Sequence, residues 1–98
     1  MIIVTGSAKA RTETLDEVLR LSLEHVRRSR LEPGCRFHSV HRDVEDPNRL
    51  VFLEHWVDRD ALIAHFRVPA SRAFAKSLGE LASEPPAIEI YAAEPLAL

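Results

Sequence analysis

The feature that most constrains this sequence is a strand-like segment at residues 49–57 that is apolar on both of its faces. Side chains alternate between the two faces of a strand. One face therefore carries Leu50, Phe52 and Trp56, and the other carries Val51, Leu53 and Val57. A strand with this pattern is normally covered on both sides. The helices of a 98-residue chain can cover one side only, so a second copy of the chain is expected to cover the other.

Three other segments have the β-branched or alternating residues that favour strands. They are residues 2–7, 35–42 and 88–93. Turn-forming residues at 43–48 connect the second of these segments to the apolar strand. This spacing predicts an antiparallel hairpin in the middle of the chain.

Two segments have the periodicity of amphipathic helices. The first begins at a capping box formed by Thr14 and Glu17. The second begins at Asp58, is interrupted at Val68-Pro69 and resumes over residues 70–82. The element order is then β-α-β-β-α-β, which predicts one α+β domain with the ferredoxin-like arrangement over the whole chain, residues 1–98.

Composition and charge exclude several classes of function. Thirteen Lys and Arg against fifteen Asp and Glu give a net charge of −2, so the chain has no basic surface for nucleic acid. No apolar run approaches the ~20 residues that a membrane span requires. The amino terminus does not resemble a signal peptide, and the single cysteine, Cys35, cannot form an intramolecular disulfide. We therefore expect a cytoplasmic protein.

Five histidines raise the question of a metal site, and their spacing does not favour one. His38 and His41 lie three residues apart on a strand, so they point to opposite faces. His41 can approach His55 across the hairpin, but no spacing completes the set of three or more protein ligands that zinc usually has. We expect no metal and no other cofactor.

The strongest candidates for chemistry are Trp56 and His65, at the junction between the third strand and the broken helix. Each carries an N–H group that needs a partner when buried, and irregular backbone at such a junction leaves room for a pocket. An imidazole with a pKa near ~6.5 can accept a proton from a phenol at neutral pH. The other interpretation, in which His65 only packs or caps, remains open at this point.

Four motifs together resemble the antibiotic biosynthesis monooxygenase (ABM) domain family, including its quinol monooxygenase branch. They are Glu32-Pro-Gly-Cys35, Val40-His-Arg-Asp-Val-Glu-Asp-Pro-Asn-Arg49, Phe52-Leu-Glu-His-Trp56 and Asp60-Ala-Leu-Ile-Ala-His-Phe66. The order and spacing of the motifs carry the resemblance, which extends over nearly the whole chain.

The resemblance implies a homodimer in which two sheets pack face to face as a dimeric α+β barrel, with a pocket between sheet and helices in each subunit. Characterised members oxidise quinols or polyphenols with molecular oxygen and use neither metal nor flavin. Trp56 and His65 match the family's strand tryptophan and helix histidine, so both are expected to be catalytic. The small aromatic substrate is expected to contact His38, Phe52, Phe66, Phe74 and Tyr91.

The sequence also departs from the family. Ala70-Ser71 follow Pro69 where many relatives have His-Phe, and His38 stands where relatives often have tyrosine. Residues 2–7 lack the asparagine of the haem-degrading relatives, which disfavours that subgroup. Two functions remain: a cofactor-independent monooxygenase acting on quinol-like aromatics, or a binding or sensing dimer of the same fold without catalysis.

Overall fold

Four strands form one antiparallel sheet in the computed structural model, which describes all residues 1–98. They are β1 (Ile2–Lys9), β2 (Cys35–Arg42), β3 (Arg49–Trp56) and β4 (Ala87–Ala92). Their order in the sheet is β2-β3-β1-β4, so the two central strands are β3 and β1. The predicted hairpin of β2 and β3 is confirmed. This order, with the helices on one face, is the ferredoxin-like arrangement that the sequence predicts.

Three helices cover one face of the sheet: α1 (Leu15–Ser29), α2 (Arg59–Arg67) and α3 (Pro69–Leu81). The Asp58 carboxylate caps α2 by accepting a hydrogen bond of 2.9 Å from the Ala61 backbone N–H. The break between α2 and α3 is confirmed at its predicted position, because proline fits the first turn of a helix but cannot continue one. None of the three helices has the length and apolar character of a membrane span.

The predicted capping box at the start of α1 is wrong. The chain enters this helix through a short 3₁₀ turn, Thr12–Thr14, and the Thr14 hydroxyl does not cap α1. That hydroxyl instead accepts from the Arg11 N–H at 3.0 Å and donates to the Leu81 carbonyl at 2.8 Å. Glu17, the other predicted member of the capping box, instead forms an ion pair with Arg20 at 2.7 Å.

The two faces of β3 differ as the sequence predicts. Leu50, Phe52 and Trp56 are buried under the helices, where they join the two hydrophobic clusters of the chain. On the opposite face of the sheet, Val51 of β3 and Phe37 of the neighbouring β2 are exposed, because no element of this chain lies over them. The expectation that the chain's own helices cover only one side of β3 is therefore confirmed.

A glycine turn brings the loop before β2 against α2. Gly34 has φ +81°, a conformation that L side chains rarely adopt, and a Cβ at this position would lie 2.6 Å from the Ala61 Cβ and 2.8 Å from Val57 Cγ1. Only glycine fits this close approach. The turn thereby holds Glu32 beside the last turn of α2, where it enters the site described below.

Candidate functional site

A cavity of about 260 Å³ lies between the helices and the β1, β3 and β4 side of the sheet. Most of its wall is apolar, with a few polar side chains at one end. Four of the residues predicted for the site line this cavity: Phe52, His65, Phe66 and Phe74. This combination of an apolar wall and few polar groups is typical of a small-molecule site.

His65, in the last turn of α2, is oriented by a carboxylate. Its Nδ1 lies 2.9 Å from Glu32 Oε1 and 3.2 Å from Glu32 Oε2. A carboxylate only accepts hydrogen bonds, so in the neutral imidazole the proton belongs on Nδ1. Nε2 then keeps its lone pair, at 3.9 Å from Glu54 Oε1. The side chain is thus arranged as a proton acceptor at a defined atom.

Glu54 is a buried carboxylate on the helix-facing side of β3 and lines the same cavity. Its Oε1 accepts a 2.8 Å hydrogen bond from Trp56 Nε1–H and lies 3.3 Å from His38 Nε2. Burial raises the pKa of Glu54, but His38, Trp56 and His65 together outweigh burial and leave the pKa below its usual value. Glu54 is therefore ionised at neutral pH.

Three buried histidines from three elements meet at the polar end of the cavity. His25 of α1 and His65 of α2 line the cavity, and His38 of β2 lies behind its wall. We call these three residues the histidine cluster. The His25 ring centroid lies 5.3 Å from each of the other two. Burial is the largest of several effects, with the neighbouring histidines and Arg28 acting in the same direction, that lower the pKa of His25 to about 3, so His25 is neutral at pH 7.

The ring of His25 is held on both sides. It stacks on Phe74 with centroids 4.1 Å apart and planes 9° from parallel. Arg28, one turn later in α1, donates from Nη2 to His25 Nδ1 at 3.2 Å and to the Ala70 carbonyl at 3.2 Å. The arginine therefore ties the end of α1 to the start of α3 at the edge of the site.

The other predicted site residues lie outside the cavity wall. Trp56 is fully buried behind His65. It contacts the site through the His65 ring, with centroids 4.6 Å apart, and through its hydrogen bond to Glu54. His38 is buried beneath the cavity and does not line it. Tyr91 is exposed. It lies three residues after Ile88, which lines the cavity, so its side chain points to the opposite face of the sheet. The structure therefore does not bring Tyr91 to the site.

Sequence reasoning missed three members of the site: His25, Glu32 and Glu54. For two of them a signal existed. His25 lies three residues after Ser22, on the same buried stripe of α1, and Glu54 alternates with Phe52 on the buried face of β3. A polar or charged side chain on such a buried face needs a partner. Glu32 lies in a loop, where no periodicity indicates its direction.

Comparisons with known proteins agree with this architecture. A crystal structure of a protein from Deinococcus radiodurans matches 100% of this chain and 97% of its own, with a TM-score of 0.94 and 24% identity, which establishes the fold alone. A crystal structure of an antibiotic biosynthesis monooxygenase matches 97% of this chain and 100% of its own, with a TM-score of 0.89 and 28% identity.

One sequence relative and one family model also match this chain, and the family model identifies the family. An uncharacterized protein of Synechocystis sp. is 34% identical over 90 residues, which are 92% of this chain, and the chain spans 61% of that protein's length. Residues 1–77 match the family model described as antibiotic biosynthesis monooxygenase. That match extends from β1 through most of α3 and includes every member of the histidine cluster, and on this basis the chain belongs to the antibiotic biosynthesis monooxygenase family.

Proposed function

We propose that this protein is a cofactor-independent monooxygenase that oxidises a quinol-like aromatic substrate with molecular oxygen. The observation that carries the proposal is the orientation of His65, whose Nδ1 is fixed by Glu32 and whose Nε2 is left as an acceptor in the wall of an apolar cavity. Family membership supports the reaction class.

Deprotonation of the substrate is the step that the protein supplies. A phenol hydroxyl placed at His65 Nε2 transfers its proton to the imidazole, and Glu32 stabilises the resulting imidazolium through Nδ1–H. The ionised Glu54 adds a second negative charge 3.9 Å from Nε2. Both carboxylates favour proton transfer from a weakly acidic substrate, because each stabilises the charged histidine.

The deprotonated quinol is electron-rich enough to reduce oxygen itself. A ring carbon forms a bond to O₂, and the imidazolium returns its proton to the peroxide. The O–O bond then breaks, the ring carbon loses its proton, one oxygen stays on the ring and the other leaves as water. The sum, quinol plus O₂ giving hydroxyquinone plus water, balances in atoms and electrons without another reductant.

The cavity wall suits a compact aromatic. Phe52, Phe66 and Phe74 provide apolar faces against which a flat ring can pack, and they shield the charged intermediate from water. A volume of about 260 Å³ lies below the usual range of ligand pockets, which begins near ~300 Å³. We therefore propose a substrate with one or two rings.

We also propose that the chain acts as a homodimer in which two sheets pack face to face. The support is the uncovered face of the sheet, on which Phe37, Val51 and Tyr91 are each between 38% and 48% exposed. Large exposed apolar patches on small proteins usually mark interfaces. A second copy of the same face would bury these side chains.

The test of the enzymatic proposal is oxygen uptake with a reduced naphthoquinone, measured above the rate of its autoxidation. The wild type should consume oxygen, and His65→Ala should reduce turnover by about 10²-fold or more, the usual scale for losing a positioned base. His41→Ala is the matched control, because His41 is exposed on β2 and lies outside the cavity. If the wild type and both variants bind the aromatic but none of them consumes oxygen, the enzymatic proposal is wrong and a binding function takes its place.

A further inference from the structure

We infer that the polar end of the cavity is a binding site for a divalent first-row transition metal ion, with His38, His65 and Glu54 as its ligands and His25 beside them. The inference starts from the convergence of the histidine cluster. One ligand-capable nitrogen from each of its three members lies within 4.8 Å of the others. All three residues are at most 5% exposed.

The distances to Glu54 are close to those of a metal site. Oε1 lies 3.3 Å from His38 Nε2 and 3.9 Å from His65 Nε2. Bonds of about 2.0–2.1 Å to one ion hold neighbouring ligand atoms about 3.0–3.4 Å apart. The ligand nitrogens of His38 and His65 lie within 4.8 Å of each other, so side-chain rotations that bring these two atoms closer together would place all three atoms on one ion.

His38 lacks hydrogen-bond partners that a metal ion would replace. Its side chain is fully buried, yet neither ring nitrogen makes a hydrogen bond. Nε2 is within ion-pair distance of Glu54 but lacks hydrogen-bond geometry. Buried polar atoms nearly always have a partner, and a coordinated ion is one such partner.

Glu32 prepares His65 to coordinate. Metal-bound histidines usually donate their second ring N–H to a carboxylate, which fixes the tautomer and raises the basicity of the ligating nitrogen. The 2.9 Å contact of Nδ1 with Glu32 has this arrangement and leaves Nε2 free on the side of Glu54. The two carboxylates together supply two negative charges for a divalent cation.

His25 is not among the ligands that we assign first. Arg28 donates to its Nδ1, which places the imidazole proton on Nε2, and ligation by Nε2 would require the arginine to release Nδ1. Two histidines and one carboxylate already form a recognised ligand set, found around catalytic zinc and in non-haem iron sites with open positions. The class of ion is therefore Zn²⁺ or Fe²⁺, with Co²⁺ as a spectroscopic substitute.

The test measures binding of the metal alone and does not depend on the proposed oxygenase activity. Tag-free protein, treated with a chelator and dialysed, is titrated with Zn²⁺ by calorimetry and with Co²⁺ by visible absorption. We expect one ion per chain and a cobalt spectrum without a thiolate charge-transfer band. His38→Gln and Glu54→Gln should each weaken Zn²⁺ binding at least about tenfold. His41→Gln, the matched control on the same strand, should bind as the wild type does.

Other results overturn the inference. The inference is wrong if the wild type shows no binding up to about 100 μM Zn²⁺. It is also wrong if both ligand variants keep the wild-type affinity, or if the His41 variant loses binding. If the two buried substitutions prevent folding, as judged by circular dichroism, Glu32→Gln decides instead. This residue lies at the edge of the site, and its substitution should weaken binding by about tenfold. Full affinity in that variant would contradict the assignment.

Discussion

His65 Nδ1 and the carboxylate of Glu32 are 2.9 Å apart, although 33 residues separate them in the chain. This contact joins the last turn of α2 to the loop before β2 and determines which nitrogen of His65 faces Glu54. Both the proposed proton transfer and the inferred metal site depend on it. They compete for one lone pair, so a bound ion and an accepted proton at Nε2 exclude each other.

Glu32→Gln should lower the turnover of the proposed reaction by about tenfold or more, with a smaller change in KM. The amide can still contact Nδ1, but it no longer stabilises the imidazolium with a negative charge. Steady-state oxygen uptake with a reduced naphthoquinone measures both constants. Glu80→Gln, an exposed change on α3, is the control. Unchanged kcat in the Glu32 variant would contradict the positioning role.

Trp56→Phe should destabilise the protein by about 1–3 kcal/mol, because the variant leaves the buried Glu54 without its 2.8 Å hydrogen bond. Urea unfolding followed by circular dichroism measures the free energy of unfolding. Tyr91→Phe also removes an aromatic hydrogen-bond donor, in this case an exposed hydroxyl that contacts Glu89, and should change stability little. Equal effects of the two substitutions would argue against a structural role for the buried bond.

Gly34→Ala should destabilise the fold by about 1–3 kcal/mol. The new Cβ would meet Ala61 at 2.6 Å in a backbone conformation with φ +81°. Gly79→Ala is the matched change, since nothing lies within 4 Å of a Cβ there and alanine favours the helix by up to about 1 kcal/mol. Thermal unfolding of both variants should therefore shift the midpoint in opposite directions.

The thiol of Cys35 should react slowly at mildly alkaline pH. Burial raises the pKa of this group, and the nearby carboxylates of Glu32 and Glu54 act in the same direction. A raised pKa lowers the fraction of reactive thiolate at any given pH, so alkylation should be slower in the folded protein than in urea. Rates of iodoacetamide labelling from pH 7 to 10 test this. A folded-state profile with an apparent pKa at or below that in urea would contradict it.

Val51→Lys should weaken the proposed dimer, because it places a charge in the middle of the apolar outer face of the sheet. Light scattering of the wild type should give about twice the chain mass of 11.1 kDa, and the variant should approach the mass of one chain. Val44→Lys is the control, since Val44 is 96% exposed in the β2–β3 turn. A monomeric wild type at micromolar concentration would contradict the dimer.

Much of the fold follows from local sequence chemistry. The cap at Asp58 and the break at Val68-Pro69 depend on residues adjacent in the chain, and both lie where the sequence predicts them. The alternation in β3 likewise predicts which side chains are buried, because successive side chains of a strand point to opposite faces of the sheet. The capping box at Thr14 failed because residues 12–14 form a 3₁₀ turn in which the Thr14 hydroxyl accepts from the Arg11 N–H, and the same hydroxyl donates to the distant Leu81 carbonyl.

The site itself was decided by tertiary structure. The histidine cluster joins α1, β2 and α2. No local sequence pattern predicts where the end of α1 lies over β2, or which face α2 turns toward β3. Those placements come from helix packing on the sheet and from the Gly34 turn, which together bring Glu32 to His65. Propensity and periodicity act over a few residues, whereas contacts between distant side chains depend on how whole elements pack against one another.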